Sequence, residues 1–272
     1  MASSRFFFFG SYSITFRSSF SLLVSTFNQT MATSAALATT LRSLFCVLGG
    51  VMAATLIYTV SVDGSPFRVD LLNPWMVATL IDFYINVVAL GAWVSYKESS
   101  WFSSSLWIVL LICFGSITTC CYIVFQFLKL SAEESVQDPI YYVLMRHSNK
   151  DGTENKRQFS VVTTKIFFSI LGFLMLSTLI YTLLTDGSPF RKDLLTPWMT
   201  ATLIDFYINL VPLSVWVAYK ESSWTSAFSW IILLICFGSI TTCTYIVRQL
   251  VYLPSQGPVH LILLNSSNRK LV

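Results

Sequence analysis

The sequence predicts an all-α integral membrane protein of six transmembrane helices, a tandem 3+3 internal repeat with inverted topology. Three observations predict it. Only 11% of the 272 residues are charged and 54% are hydrophobic, with a mean hydropathy of +0.67; soluble chains carry roughly 25% charge. The charges fall at regular intervals, leaving stretches about as long as the 20 or so residues a helix needs to span hydrocarbon. And residues 63–127 align with 186–250 without a gap, 49 of the 65 positions being identical.

The elements follow from the charge spacing. Arg42 to Asp63 and Lys165 to Asp186 each enclose 20 uncharged residues. Asp70 to Lys97 and Asp193 to Lys220 each enclose 26, among which one aspartate is the only acid or base. Glu98 to Lys129 and Glu221 to Arg248 enclose 30 and 26 uncharged residues. Six spans result, at 43–62, 74–96, 105–128, 166–185, 197–219 and 228–249. The turn "DGSPFR" (63–68, 186–191) ends the first span of each copy, and Pro74 and Pro197 fit the first turn of the second. Trp75, Trp101, Trp198 and Trp224 fall where an aromatic belt is expected. "YKESSW" (96–101, 219–224) links spans two and three. "LLICFGSITTC" (110–120, 233–243) carries small residues four apart and reads as a central packing helix. The short apolar runs 140–145 and 259–264 read as interfacial tails.

The organisation expected is an N-terminal extension or targeting segment at 1–40, a first repeat at 41–146, a linker at 147–164 and a second repeat at 165–272. Residues 1–30 hold eight serines, seven phenylalanines and two arginines, and the first acid in the chain is Asp63. This acid-poor, serine-rich composition suits an organelle transit segment or an extension before Met31, with an endomembrane or plastid location. Three spans per copy turn the second copy upside down if the linker stays on one side. On that topology Lys and Arg divide nine against eight between the two faces, which orients nothing.

The strings "GSPFRxDLLxPWMxATLIDFYIN", "YKESSW" and "LLICFGSITTC" together resemble a family of plant membrane proteins known as domain of unknown function 1475. The resemblance covers about 31–272 and implies a plant source and a multi-pass membrane protein. It implies no activity, so no catalytic residue is carried over. The first 30 residues depart from it.

The candidate site is the acid of "ATLIDFYIN", present at 78–86 and again at 201–209. On a helix, Trp75, Thr79, Asn86, Trp93 and Lys97 all fall within about 60° of Asp82. Trp198, Thr202, Asn209, Trp216 and Lys220 repeat the stripe around Asp205. Positions that differ between the copies lie mostly opposite this stripe, so the acid points into the protein. Asp82 lies about 12 Å past Pro74 along the helix, and a carboxylate at that depth needs a partner, water or a proton. The candidate transport or binding residues are therefore Asp82, Asn86, Thr79, Asp205, Asn209 and Thr202, with both carboxyls expected on one shared polar site. Pro212, opposite Ala89, makes the two halves unequal.

These features suit a small secondary transporter or channel for a solute, proton or monovalent cation. A non-catalytic scaffold or assembly factor is the second reading, and a membrane-embedded enzyme on a lipid or isoprenoid the third. No H-E-x-x-H, G-x-S-x-G or paired metal-ligand spacing occurs. The six cysteines fall inside predicted spans as small packing residues. The sequence thus calls for no cofactor, no metal and no nucleic acid, and for the lipid bilayer as partner.

Overall fold

A computed structural model describes residues 34–145, 160–253 and 258–264. The extension expected at 1–40 and the linker expected at 147–164 lie largely outside the described residues. Within them the chain is helical, with no strand. The elements are α1 (Ser34–Asp63), α2 (Pro74–Lys97), α3 (Trp101–Phe114), α4 (Ser116–Leu128), α5 (Ala132–Gln137), α6 (Pro139–Leu144), α7 (Val161–Asp186), α8 (Pro197–Lys220) and α9 (Trp224–Val251). Short 3-10 turns occupy Val69–Leu71, Lys192–Leu194 and Val259–Leu263. Among the described residues, α1, α2, α7, α8 and α9 are long and apolar enough to cross a membrane by length and composition.

Local chemistry sets the helix ends. Asn73 caps α2 by accepting the Met76 N–H at 2.8 Å, and Thr196 caps α8 by accepting that of Met199 at 3.2 Å. Proline follows each cap at the first helical position, where its missing N–H costs nothing. The turns before these helices are closed by Arg68–Asp63 at 2.8 Å and Arg191–Asp186 at 2.7 Å.

The third segment of each copy does not run straight. Glu98 accepts hydrogen bonds from Tyr122 (3.0 Å) and Gln126 (3.2 Å), and the rings of Trp107 and Tyr122 lie 5.0 Å apart. On one straight helix, residues 107 and 122 would stand about 22 Å apart along the axis. The chain therefore reverses at Gly115, and α3 and α4 form a helical hairpin. The same reversal occurs at Gly238 within α9. Tyr245, Arg248 and Gln249 donate to Glu221, and the rings of Trp230 and Tyr245 lie 5.1 Å apart. The two glycines share one conformation, φ/ψ 51/−124° and 50/−124°. Only glycine adopts it without steric cost.

The second helices run parallel. Trp75 and Met76 at the start of α2 share a buried cluster with Trp198 and Met199 at the start of α8. At the other end Lys97 of α2 donates to the carbonyls of Tyr142 (2.7 Å) and Met145, while Tyr219 of α8 donates to Asp138 (2.9 Å). The intervening α6 has six residues, about 9 Å of helix. Segment 138–144 thus touches the C-terminal ends of both helices.

Three expectations are corrected by this geometry. The segments at 105–128 and 228–249 are hairpins, because a glycine-specific backbone turn returns each chain to the end it left. Among the described residues five helices, and not six, are long and apolar enough to cross; the small residues of "LLICFGSITTC" stay packed, Ser116, Thr119, Cys120, Ser239, Thr242 and Cys243 all being buried. The second copy is not upside down, because two helices and a returning hairpin bring the chain back to its starting face. Trp75 and Trp198 are buried between the halves, 6% and 7% exposed, instead of sitting in a lipid belt; Trp101 and Trp224 are exposed.

The first helices complete the bundle. α1 lies against α4 and α8, and α7 against the returning arm of α9 and α2. Gly49 and Gly172 permit the close contact: a Cβ on either would stand 3.2 Å from Cys120 Cβ or Cys243 Cβ. The interfacial tails are anchored, Ile140, Val143 and Leu264 being buried and Lys220 donating to the Leu264 carbonyl.

Candidate functional site

A hairpin tip at bilayer depth presents backbone groups with no helical partner, and hydrocarbon cannot satisfy them. Helix α4 begins at Ser116, and the Ser116 N–H donates to the Asp205 carboxylate at 2.8 Å. The second arm of α9 begins after Gly238, and the Ser239 N–H donates to Asp82 at 2.7 Å. Each aspartate thus caps a helix start contributed by the other half of the chain. A capping carboxylate also meets the positive end of the helix dipole.

The asparagines continue the pattern one turn on. Thr242 donates to Asn86 Oδ1 at 2.7 Å, and Thr119 donates to Asn209 Oδ1 at 2.6 Å. Both asparagines are 0% exposed, and both aspartates are half-buried. Backbone acceptors at the tips are met as well: Tyr84 donates to the Ile112 carbonyl at 3.4 Å, Thr118 to Leu110 at 2.9 Å and Thr241 to Leu233 at 2.8 Å.

Contact at the tip is too close for any side chain. A Cβ on Gly115 would stand 2.3 Å from Asp205 Oδ2 and 2.8 Å from Phe83 Cζ. A Cβ on Gly238 would stand 2.3 Å from Asp82 Oδ2 and 2.7 Å from Phe206 Cζ. Glycine is required here twice over, by its backbone angle and by the approach of the carboxylate.

Of the six residues singled out by sequence, Asp82 and Asn86 meet at the tip of α9, and Asp205 and Asn209 at the tip between α3 and α4. Thr79 and Thr202 donate to their own helix, to Trp75 and Trp198 carbonyls at 2.8 and 2.9 Å. The two carboxyls hydrogen-bond to different hairpins, so the single shared site resolves into two sites of matching composition. They differ in one detail: the Asn86 amide donates to the Asp82 carbonyl at 3.3 Å, whereas the buried Asn209 Nδ2 has no partner among the described residues. Helix α8 continues through Pro212, four residues before Trp216.

Sequence reasoning placed Gly115, Ser116 and Thr119 on a packing helix, with its hydroxyls lining a pathway as the alternative, and did not join them or Gly238, Ser239 and Thr242 to the aspartates. Their signal was present as a Gly-Ser step in the middle of an otherwise apolar segment, identical in both copies. That step reads as small-residue packing until the far aromatic contacts reveal the reversal.

A second constellation sits at the mouth of each hairpin. Glu98 receives Ser103 (2.7 Å), Tyr122 and Gln126; Glu221 receives Ser226 (2.6 Å), Tyr245, Gln249 and Arg248. Burial opposes ionisation of Glu221, but the hydrogen bonds from Ser226 and Tyr245 and the charge of Arg248 outweigh it and hold the carboxyl below its ordinary value. Among the described residues no three His, Cys, Asp or Glu side chains are grouped as a metal site would need.

Neither a curated protein nor a solved structure matches the chain. The profile of a family described as "Protein of unknown function (DUF1475)" matches residues 31–270, nearly the whole sequence. The chain belongs to that family, and its twinned hairpin tips lie within the matched region.

Proposed function

We propose that the protein is a small transporter or channel built from two copies of one unit, with a proton, monovalent cation or small solute handled at the two carboxyl-capped hairpin tips. One observation carries this reading: an aspartate deep in an apolar helix supplies the cap of a discontinuous helix from the other copy. Transporters commonly place substrate and coupling-ion sites near the midplane at broken helices between repeats. Here the group facing the helix start is the protein's own carboxylate, and it is half-buried, so a proton or cation reaching it competes with the Ser116 or Ser239 N–H. Neutralising the carboxyl weakens a charge-assisted bond and loosens one hairpin from the opposite copy, which is the coupling step. Thr79 and Thr202 flank the same stripe.

The contacts obey a reciprocal rule: Asp82 meets Ser239 while Asp205 meets Ser116, and Asn86 meets Thr242 while Asn209 meets Thr119. Such pairing is the mark of a two-fold relation, and it supports the internal repeat. With the second helices parallel, the axis lies along the membrane normal, as in parallel-repeat transporters.

The test is solute and cation flux in proteoliposomes under an imposed pH or sodium gradient. The double variant Asp82→Asn/Asp205→Asn keeps an acceptor oxygen at each tip and removes the titratable group, so gradient-driven flux disappears while the protein stays folded. A scaffold is the second reading, favoured by the cap itself, which gives each acid a structural task. Unchanged flux in the double variant, or none in the wild type across a broad screen, leaves the scaffold.

A further inference from the structure

The two hairpin mouths, remote from the carboxyls at the tips, share one set of residues but balance their charge differently. Glu98, Trp93, Trp107, Tyr122 and Gln126 stand where the second copy has Glu221, Trp216, Trp230, Tyr245 and Gln249. The ring contacts match. Trp93 and Trp107 lie 5.3 and 5.0 Å from Tyr122, and Trp216 and Trp230 lie 5.2 and 5.1 Å from Tyr245. In the second mouth a cation completes the arrangement. Arg248 donates to Glu221 Oε1 at 3.0 Å, beside Tyr245 and Gln249. Its guanidinium lies over the Trp230 and Tyr252 rings, at 5.2 and 5.7 Å.

The first mouth has the carboxylate and the aromatic wall but not the cation. Phe125 stands in place of Arg248, so Glu98 Oε1 accepts only from Tyr122 and Gln126, both neutral. Among the described residues no Lys, Arg or His forms an ion pair with Glu98. Lys97, next to it, is held by the carbonyls of Tyr142 and Met145, and Lys129 rests over the Phe125 ring at 4.2 Å. Phe125 is 41% exposed and lies 6.0 Å from Trp107, so the aromatic wall reaches the surface. A half-buried carboxylate without a counter-charge is costly, and aromatic faces attract cations, substituted ammonium groups above all.

We propose that the first hairpin mouth binds an organic ammonium ion, whose charge takes at Glu98 the place that Arg248 takes at Glu221, with the Trp107 and Phe125 rings as its wall. The second copy is the internal precedent, since the same carboxylate and tryptophan there hold a delocalised organic cation. Glu98 directly follows α2, a helix of 24 residues that is long and apolar enough to cross a membrane. The site therefore opens at headgroup level. Its ammonium can come from a choline or ethanolamine phospholipid or from a free amine in the water.

The test is thermal unfolding of the full chain in a maltoside detergent, titrated with choline chloride or methylammonium chloride against sodium chloride at equal ionic strength. A ligand that binds only the folded state raises the midpoint as its concentration rises. The organic cations should lift the wild-type midpoint above the sodium control, and Glu98→Gln should abolish the difference. Phe125→Arg installs the second copy's cation in the first mouth. It should raise the midpoint without ligand and erase the response to choline. Arg248→Phe removes the built-in cation and should enlarge the response by opening the second mouth. A wild type that responds to neither organic cation beyond sodium overturns the proposal, whether or not the variants fold. So does a response that survives in Phe125→Arg. A response seen only in Lys129→Ala shows that Lys129 closes the mouth itself, and it too overturns the proposal. The source is read from the lipid that co-purifies with protein extracted from mixed bilayers of phosphatidylcholine, phosphatidylethanolamine and phosphatidylglycerol. Enrichment of either of the first two, lost in Phe125→Arg, supports the site and assigns it a headgroup; a choline response without enrichment supports it with a free amine.

Discussion

At the scale of single residues, the tightest constraint is the contact between a glycine and a carboxylate. Gly115→Ala forces a side chain into the positive-φ region, a strain of about 1–3 kcal/mol, and drives a methyl group into Asp205. Gly64 also has positive φ (75°) but open space where its Cβ would go, so Gly64→Ala carries the strain alone. Thermal unfolding in detergent should show Gly115→Ala clearly below Gly64→Ala; equal midpoints would contradict the close approach. The aspartate side of the pair makes its own prediction. Asn is as good a capping residue as Asp, so Asp82→Asn should cost under about 1 kcal/mol. Asp82→Ala orphans the buried Ser239 N–H and should cost about 1–3 kcal/mol. The difference between these two variants measures the cap; no difference would assign the acid no structural task.

At the scale of elements, each hairpin is closed at its mouth by one glutamate, and the two closures differ in one residue. Position 248 is arginine where its counterpart 125 is phenylalanine. Arg248 bonds Glu221 at 3.0 Å and lies over the Trp230 ring at 5.2 Å, while Phe125 packs against Trp107 at 6.0 Å. The consequence is a pH dependence at the mouth of the second hairpin. Glu221 is held below its ordinary value in the folded protein. Its stabilisation is therefore complete above the ordinary carboxylate range of about 4.3 and is lost as pH falls through the depressed folded value. Melting curves from neutral to acid pH should show this loss, reduced in Glu221→Gln; a variant retaining the full acid dependence would place it elsewhere. Legibility was uneven here. The apolar stretches, the turn residues and the proline starts of α2 and α8 were readable because helix propensity and capping act over a few residues. The hairpins were not, because a 26- to 30-residue uncharged run satisfies the length rule for a span whether it crosses or returns.

For the whole molecule, the exchanged caps make neither half complete. The first copy lacks an acceptor for Ser116 without Asp205, and the second lacks one for Ser239 without Asp82. A chain cut within 146–159 should yield two fragments that co-purify when expressed together and fail to accumulate as folded species when expressed alone. Stable isolated fragments would mean that the caps contribute little to assembly. The paired tryptophans Trp75 and Trp198, buried at the junction of the halves, act in the same direction by removing apolar surface from lipid contact and packing it between copies.

The sequence by itself determined that this chain is helical, lives in lipid, and keeps two acids where lipid gives them no partner. Those facts depend on composition and on identities along one dimension, and both survive without coordinates. It also put Asp82 and Asn86 on one helix face, since 3.6-residue periodicity relates neighbours four apart. Only the tertiary structure decided what that face meets. Thr119 and Asn209 are 90 residues apart in sequence, Asp82 and Ser239 157 apart, and no local rule links them. The reversal at Gly115 and Gly238 then brought Tyr122 and Tyr245 back beside Glu98 and Glu221. A single backbone turn returns the third segment of each copy to the end it left, which the length of an uncharged run does not reveal. The physical reason is that hydrophobic length reports how much chain is in the membrane, while direction is set by two torsion angles and a carboxylate supplied from the other half.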